Sequence, residues 1–209
     1  MKPSQVVDEI FRVFRERGHR RYGEEVTEQQ HALQCATFAQ QRGENSQVIA
    51  ACLLHDYGHL IHDLGEDIAD QGIDARHEHV GANKLSQWFD ADVVEPIRLH
   101  AESKRYLCWK ERGYFEELSE ASKKSLALQG GMMTNAEAAS FEAMPHYDAA
   151  VRVRRYDDQG KVRDMKTPDF ESFRPLLEGL VRSNDIRPAT ATGFPAKERH
   201  STSADGQRR

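Results

Sequence analysis

Apolar residues recur at three- and four-residue steps along most of the chain, and strictly alternating segments are hard to find. A repeat close to 3.6 residues places apolar side chains on one face of a helix, whereas strands alternate with a period of two. Two stripes are the clearest: Val6, Ile10, Val13 and Phe14, and then Ala32, Cys35, Ala36 and Ala39. The pattern therefore predicts an all-α fold.

Capping and helix-breaking residues divide this pattern into separate helices. Asn45 and Ser46 can cap a helix through VIAACLLH, which Gly58 is expected to end or bend. Gly130 and Gly131 indicate a turn between helices and not a domain boundary. Further helices are predicted over Glu78–Phe89, Val93–Leu107, Asn135–Glu142, Tyr147–Arg155 and Phe170–Val181. We expect one domain over residues 1–186, followed by a flexible tail over residues 187–209 that is rich in Pro, Ser, Thr and Gly.

Composition excludes several classes of protein. No apolar run approaches the roughly 20 residues of a membrane span, and the N-terminus lacks the order of a signal peptide, so we expect a cytoplasmic protein without membrane contact. A net charge of −5 does not favour nucleic-acid binding. The three cysteines have no CxxC spacing and are interpreted as packed thiols.

The ten histidines are the unusual feature, and most of them fall between His31 and His100. The adjacent pair His55 and Asp56 can reach one site only from a helix end, because neighbouring helical positions diverge by about 100°. Imidazole and carboxylate together suit iron, zinc or manganese, and the two oxygens of Asp56 could bridge two ions. Composition alone does not decide whether each of His31, His79 and His100 is a metal ligand or a core residue. Four others are interpreted as core or surface residues: His19, His77, His146 and His200.

The order His31, then His55-Asp56, then Asp157 resembles the HD superfamily of helical metal proteins, and HDYGH resembles its second motif. The match covers roughly residues 5–182. His79 and His100 lie where dinuclear members carry two extra histidines. The resemblance therefore implies an HD-domain helical bundle with two metals bridged by Asp56, which requires His79 and His100 to point towards the His55-Asp56 pair.

Four stretches are similar to the mixed-valent di-iron oxygenases that cleave the C–P bond of 1-hydroxy-2-aminoethylphosphonates. They are YGEEVTEQQHALQCA, LLHDYGH, SKKSLALQGG and AVRVRRYDDQGK. The resemblance implies two iron ions, Fe(II)/Fe(III). The first would take His31, His55, Asp56 and Asp157, and the second would take Asp56, His79 and His100.

The same resemblance implies a substrate site. The residues expected to hold the phosphonate are His59, His62, Lys104, Ser122, Arg154 and Lys161, and Tyr22 and Glu24 would form a lid. Spacing supports part of this set, because His100 and Lys104 are four residues apart and Arg154 and Asp157 are three apart. Each pair places a cation beside a metal ligand, which suits a phosphonate dianion.

Departures from the family leave three alternatives open. The lid is one residue shorter than the family pattern, so either Glu24 or Glu25 could act there. Asp158 rivals Asp157 as the last ligand. Gly160 disfavours helix by about 1 kcal/mol relative to Ala, which could displace Lys161.

We therefore expect an enzyme that uses O2 to release phosphate from a small organophosphonate. The other product would be glycine from a primary amine or glycine betaine from its trimethylated analogue, with a slight preference for the latter. A quaternary ammonium favours aromatic faces, for which the candidates are Tyr22, Tyr57, Tyr106 and Trp109. One alternative is an HD phosphohydrolase, which needs no O2. Another is a nucleotide-sensing or scaffold protein with a purely structural metal.

Overall fold

A computed structural model describes residues 1–21, 25–62 and 71–182. In these ranges the backbone forms helices and one short 3-10 turn, without a strand. The helices are α1 (Pro3–Arg17), α2 (Glu28–Gln41), α3 (Ser46–Leu54), α4 (Tyr57–Ile61), α5 (His77–Leu85), α6 (Ala91–Lys110), α7 (Tyr114–Glu117), α8 (Glu120–Leu128), α9 (Asn135–Glu142), α10 (Tyr147–Gln159) and α11 (Arg174–Leu180). The predicted all-α fold is confirmed. The predicted tail over residues 187–209 lies outside the described residues.

Side-chain caps explain where several helices begin. The Asn45 carboxamide accepts a hydrogen bond from the Val48 amide at 2.9 Å and starts α3, as the sequence predicted. Thr134 and Glu137 form a reciprocal capping box, which starts α9 at the predicted residue. None of the described helices is long and apolar enough to cross a membrane.

Two apolar clusters hold the helices together. The larger one contains both predicted stripes and is built around α1, α2 and α3, with contributions from α5, α6, α10 and α11. The smaller one lies between the second half of α6 and helices α8 and α9. Helix α6 contributes to both clusters and packs most extensively on α10. Because each fully buried Leu, Ile or Phe side chain contributes about 1.5–3 kcal/mol, these clusters fix the helices that carry the polar residues between them.

The chain breaks its helical path at the His55-Asp56 pair and not at Gly58. Helix α3 ends at Leu54, Asp56 has φ −96° and ψ 11°, and α4 begins at Tyr57. The prediction that Gly58 ends the helix is therefore wrong. Because of the break, His55, His59 and His62 do not lie on one continuous helix.

Gly58 instead permits the close approach of α4 to α5. A Cβ atom at Gly58 would lie 1.9 Å from the His77 carbonyl oxygen and 2.9 Å from the Gly81 amide nitrogen. Both of these are backbone atoms, which cannot rotate out of the way as a side chain can. Gly58 and Gly81 therefore set the distance between the His55-Asp56 break and the start of α5.

We predict that Gly58→Ala destabilises the protein by about 1–3 kcal/mol or more, because the added methyl group forces α4 and α5 apart. The free energy of unfolding in urea measures the effect. Gly179→Ala in α11 is the matched control, since a Cβ there has no atom within 4 Å. Equal stability of the Gly58→Ala and Gly179→Ala variants would contradict the close-packing role.

Candidate metal centre

Four side chains from three separate parts of the chain meet at the break between α3 and α4. The Nε2 atom of His31, on α2, lies 3.1 Å from Nε2 of His55 and 3.4 Å from the Asp56 Oδ2 atom. It also lies 3.4 Å from Oδ1 of Asp157, which is on α10. His55 Nε2 completes the group at 3.3 Å from Asp56 Oδ2. The structure thus brings together the four residues predicted for the first ion.

The other oxygen of Asp56 faces a second group. Asp56 Oδ1 lies 3.2 Å from His77 Nε2 and 3.5 Å from His100 Nε2, and these two nitrogens are 3.1 Å apart. The Asp56 carboxylate therefore stands between two sets of nitrogen atoms. This is the arrangement that a bridging carboxylate requires.

The structure does not place His79 in this group, where the sequence predicted it, and His77 lies there instead. The His79 side chain is 49% exposed, and its Nε2 atom lies 3.8 Å from the neighbouring Glu78. His77 is the first residue of α5, and two residues along a helix correspond to a rotation of about 200°. When His77 faces Asp56, His79 must point away from it.

The sequence analysis interpreted His77 as a core or surface residue, but the spacing between His77 and Gly81 could have indicated its position. Gly81 lies four residues after His77, so the two share one face of α5. That face packs against Gly58, two residues after Asp56. A small residue one turn after a histidine marks the side of the helix that approaches its neighbour closely.

The histidines bring their Nε2 atoms to within 3.1 Å of one another in two pairs, which is the spacing expected around cations. The Nδ1 atoms of His31, His55 and His100 donate to the backbone carbonyls of Gly160, Cys52 and Ile97 at 2.7–2.9 Å. In the neutral form of each ring, the Nε2 atom is therefore an acceptor that faces the centre. Ligands about 2.1 Å from one ion lie about 3.0–3.4 Å apart, which matches most of the separations in both groups. The residues present therefore fit two metal ions.

The charges in the cluster also favour cations. Burial opposes ionisation of Asp56, but His55 and His31 hold the pKa of its carboxyl well below the usual range. Burial also opposes ionisation of Asp157, but Arg154 and His31 hold the pKa of its carboxyl well below the usual range. Burial, together with His77 and His55, lowers the pKa of His100 to about 3, so this imidazole is neutral at pH 7. Ionised carboxylates and neutral imidazole are the ligand forms that metals bind.

A group of cations lies directly beside the Asp157 carboxylate. The Arg154 guanidinium donates to Asp157 Oδ2 at 2.7 Å and to the Ser122 hydroxyl at 3.4 Å. Lys161 Nζ lies 3.2 Å from the same hydroxyl and 3.9 Å from Asp157 Oδ1. Lys104 is 3% exposed, and its Nζ donates to Ser125. Burial and the nearby Arg154 lower the pKa of Lys104 to about 7.

The sequence left open whether Asp157 or Asp158 faces the histidines and whether Gly160 displaces Lys161, and the structure bears on both points. Asp158 accepts hydrogen bonds from Arg154 and from the Tyr114 hydroxyl, so it is engaged away from the histidines while Asp157 faces them. Helix α10 ends before Gly160, yet Lys161 still reaches Ser122. A Cβ atom at Gly160 would lie 2.3 Å from the Cys35 sulfur, so the glycine keeps its carbonyl close to His31.

The remaining predicted residues are placed less centrally. The His59 ring stacks on His77 with 3.9 Å between centroids, and His62 is buried 5.7 Å from His59. His59 therefore lies next to the second group of nitrogens, and His62 lies beyond it, beside His59. Tyr22 and Glu24 lie outside the described residues. The alternative lid residue Glu25 is exposed and pairs with Arg163 at 3.0 Å.

Glu28 is a buried carboxyl that sequence reasoning missed. It is 7% exposed and lies one turn before His31 on α2. Burial and the Asp56 carboxylate raise the pKa of Glu28 to about 8, so the group is largely protonated at pH 7. The spacing of three residues from His31 was the available signal, since it places both side chains on one face of the helix.

We predict that His77→Ala removes about one of two bound ions, whereas His79→Ala retains both. His77 faces Asp56 and His100, whereas His79 is half-exposed. Iron per chain after anaerobic loading with Fe(II) measures the difference. Loss of iron from His79→Ala with normal loading of His77→Ala would reverse the assignment.

Comparison with known proteins agrees with this geometry. Residues 28–138 match the HD domain. The chain is 41% identical over 180 residues to hydroxymethylphosphonate dioxygenase of Gimesia maris, covering 86% of this chain and 90% of the relative. It is 42% identical over 179 residues to [1-hydroxy-2-(trimethylamino)ethyl]phosphonate dioxygenase (glycine-betaine-forming) of Leisingera caerulea, covering 85% and 91%. It is also 33% identical over 176 residues to an uncharacterized protein of Acanthamoeba polyphaga mimivirus, covering 83% and 80%. The chain therefore belongs to the HD-domain family, within its group of O2-dependent phosphonate oxygenases.

Proposed function

We propose that this chain uses O2 to cleave the C–P bond of a 1-hydroxyphosphonate, releasing inorganic phosphate and a carboxylic acid. The observation that carries the proposal is the cluster of the cations Lys104, Arg154 and Lys161 beside Asp157. A metal centre and a cationic cluster that share Asp157 as a neighbour suit a substrate with a hydroxyl and a phosphonate on one carbon. Both named relatives act on compounds of this kind.

Two iron ions fit the donor atoms. His31, His55, Asp56 and Asp157 would hold one ion, and Asp56, His77 and His100 would hold the other. When bound, the irons would activate O2, which is the oxidant that takes up the electrons removed from the hydroxyl-bearing carbon. The protein supplies ligands with fixed orientations, because backbone carbonyls hold the outer nitrogens of His31, His55 and His100.

The cationic cluster would bind and orient the phosphonate. The guanidinium of Arg154 donates to Tyr114, Asp157, Ser122 and Asp158, so it would attract the phosphonate mainly through its positive charge. Lys104 adds a buried charge that is lost easily without a partner anion. Ser122 contacts Arg154 and Lys161 and can donate its hydroxyl hydrogen to a third oxygen. Because Arg154 also binds Asp157, the phosphonate would be held next to the first ion.

The two relatives differ in what the substrate carries beyond the hydroxyl-bearing carbon, so the proposal covers the core that their substrates share. Three aromatic candidates for a quaternary-ammonium site are engaged elsewhere. Tyr57 packs on Phe14 in the main core, Tyr106 donates to Glu142, and Trp109 donates to Asn135. The sequence-based preference for the trimethylated substrate therefore gains no support from these three residues.

We predict that the iron-loaded protein releases phosphate from hydroxymethylphosphonate or from a 1-hydroxy-2-aminoethylphosphonate only when O2 is present. The assay compares three substrates, namely the hydroxymethyl compound and the primary-amine and trimethylated ethyl compounds, with and without O2. The compound with the highest kcat/KM identifies the substituent that the site accepts.

Phosphate release without O2, or with Mn2+ in place of iron, would favour the phosphohydrolase instead. Release from none of the three compounds under O2 would contradict the oxygenase. Methylphosphonate, which lacks the hydroxyl group, is the matched negative control.

We further predict that Lys104→Met raises stability while it weakens substrate capture by about 2–4 kcal/mol. The pKa of Lys104 is lowered in the folded state, so the folded protein disfavours its charge, and wild-type stability should rise as pH increases from about 7 to 10.5. Removing the amine should therefore raise the free energy of unfolding by about 1–2 kcal/mol at pH 6. The difference in stability between Lys104→Met and the wild type should shrink above pH 7.

Urea unfolding at pH 6 and pH 9, with KM for the accepted substrate, measures both effects. Lys123→Met is the matched control, since Lys123 pairs with Glu120 on the outer side of α8. An unchanged KM in Lys104→Met, with normal iron content, would contradict the anion-binding role of Lys104.

A further inference from the structure

The first turn of α5 contains a buried carboxylate between two histidines. Glu78 is 6% exposed, and its Oε2 atom lies 3.4 Å from Nδ1 of His77. Its Oε1 atom lies 3.8 Å from Nε2 of the half-exposed His79. Within the described ranges Oε2 is buried and accepts no hydrogen bond, although a small adjustment of either side chain would let it accept one from His77. A buried oxygen in this position calls for a functional explanation.

His77 differs from the other histidines of the centre in what its outer nitrogen faces. The outer nitrogens of His31, His55 and His100 donate to backbone carbonyls. The outer nitrogen of His77 faces the Glu78 carboxylate. A carboxylate carries a full negative charge, so it makes the imidazole that it contacts a stronger electron donor than a carbonyl does.

We propose that Glu78 is a positioning residue that orients His77 and fixes the hydrogen of its ring on Nδ1, leaving Nε2 for the second ion. The ion held by Asp56, His77 and His100 would then have a more electron-rich ligand than the first ion. Glu78 would thereby make the two halves of the centre electronically different. This inference rests on the proposed two-ion centre.

A purely structural role for Glu78 makes a different prediction. Glu78 is the second residue of α5, where a negative charge also stabilises the positive end of the helix dipole. Such a role would affect stability without affecting one ion selectively. It would also be independent of whether His77 is present.

The test is Fe(II) binding by anaerobic dialysis to the full chain carrying Glu78→Gln, followed by electron paramagnetic resonance of the partly oxidised protein. We expect about 10–100-fold weaker binding of one ion, unchanged binding of the other, and an altered signal from the iron pair. In a His77→Ala background, Glu78→Gln should have no further effect on iron affinity. His79→Ala and Asp92→Asn are the controls, because Asp92 is an exposed acid in the first turn of α6.

Binding of both ions with wild-type affinity and an unchanged signal in Glu78→Gln would overturn the inference. So would an equal loss of affinity in the His77→Ala background. If Glu78→Gln does not fold, Glu78→Asp replaces it, with a smaller selective loss expected because the charge is kept at a greater distance from Nδ1. A wild-type chain that binds fewer than two irons would instead refute the two-ion centre itself, whatever the effect of Glu78.

Discussion

One partly buried carboxylate, Asp56, faces the nitrogen atoms of four histidines, and the rest of the site is arranged around it. Its Oδ2 atom lies beside His31 and His55, and its Oδ1 atom lies beside His77 and His100. Against the effect of burial, Cys35 and Asp157 raise the pKa of His31 and Asp56 raises the pKa of His77, so the cluster attracts positive charge, which metal ions would supply in place of the protons. The cluster is therefore organised for cations, and the fold holds it in place through the apolar clusters that bury the surrounding helices.

The backbone around Asp56 makes this convergence possible. The helical path breaks between α3 and α4, so His55 and Asp56 point to one site although they are adjacent in sequence. Gly58 and Gly81 then let α5 approach closely enough for His77 to reach the second oxygen of Asp56. On the opposite side, α10 presents Asp157 to the first group and Arg154 to Ser122, in the cationic cluster proposed to bind the phosphonate. Metal and anion sites thus share one helix, which supports the proposed cleavage of a bond between carbon and phosphorus.

Apolar periodicity predicted the all-α fold, and the family resemblance named five of the six residues that meet at this site, but neither decides what depends on packing. Residues 135–142 form α9 as predicted, and the capping box of Thr134 and Glu137 fixes where it begins. His77 and His79 could not be separated from composition, since the contact between two glycines determines which of them faces Asp56. Asp157 and Asp158 differ by about 100° on α10, so the orientation of the whole helix decides between them. Glu28 and Glu78 escaped notice because their burial depends on distant elements.

The most direct test of the shared Asp56 carboxylate is the iron content of the wild-type chain and of the Asp56→Ala chain, measured after anaerobic loading with Fe(II). If Asp56 bridges two ions, the wild-type chain should hold two irons and the Asp56→Ala chain should hold neither, while circular dichroism shows that the helices remain. An iron-replete Asp56→Ala protein, or a wild-type protein that saturates at a single iron, would contradict the bridging role.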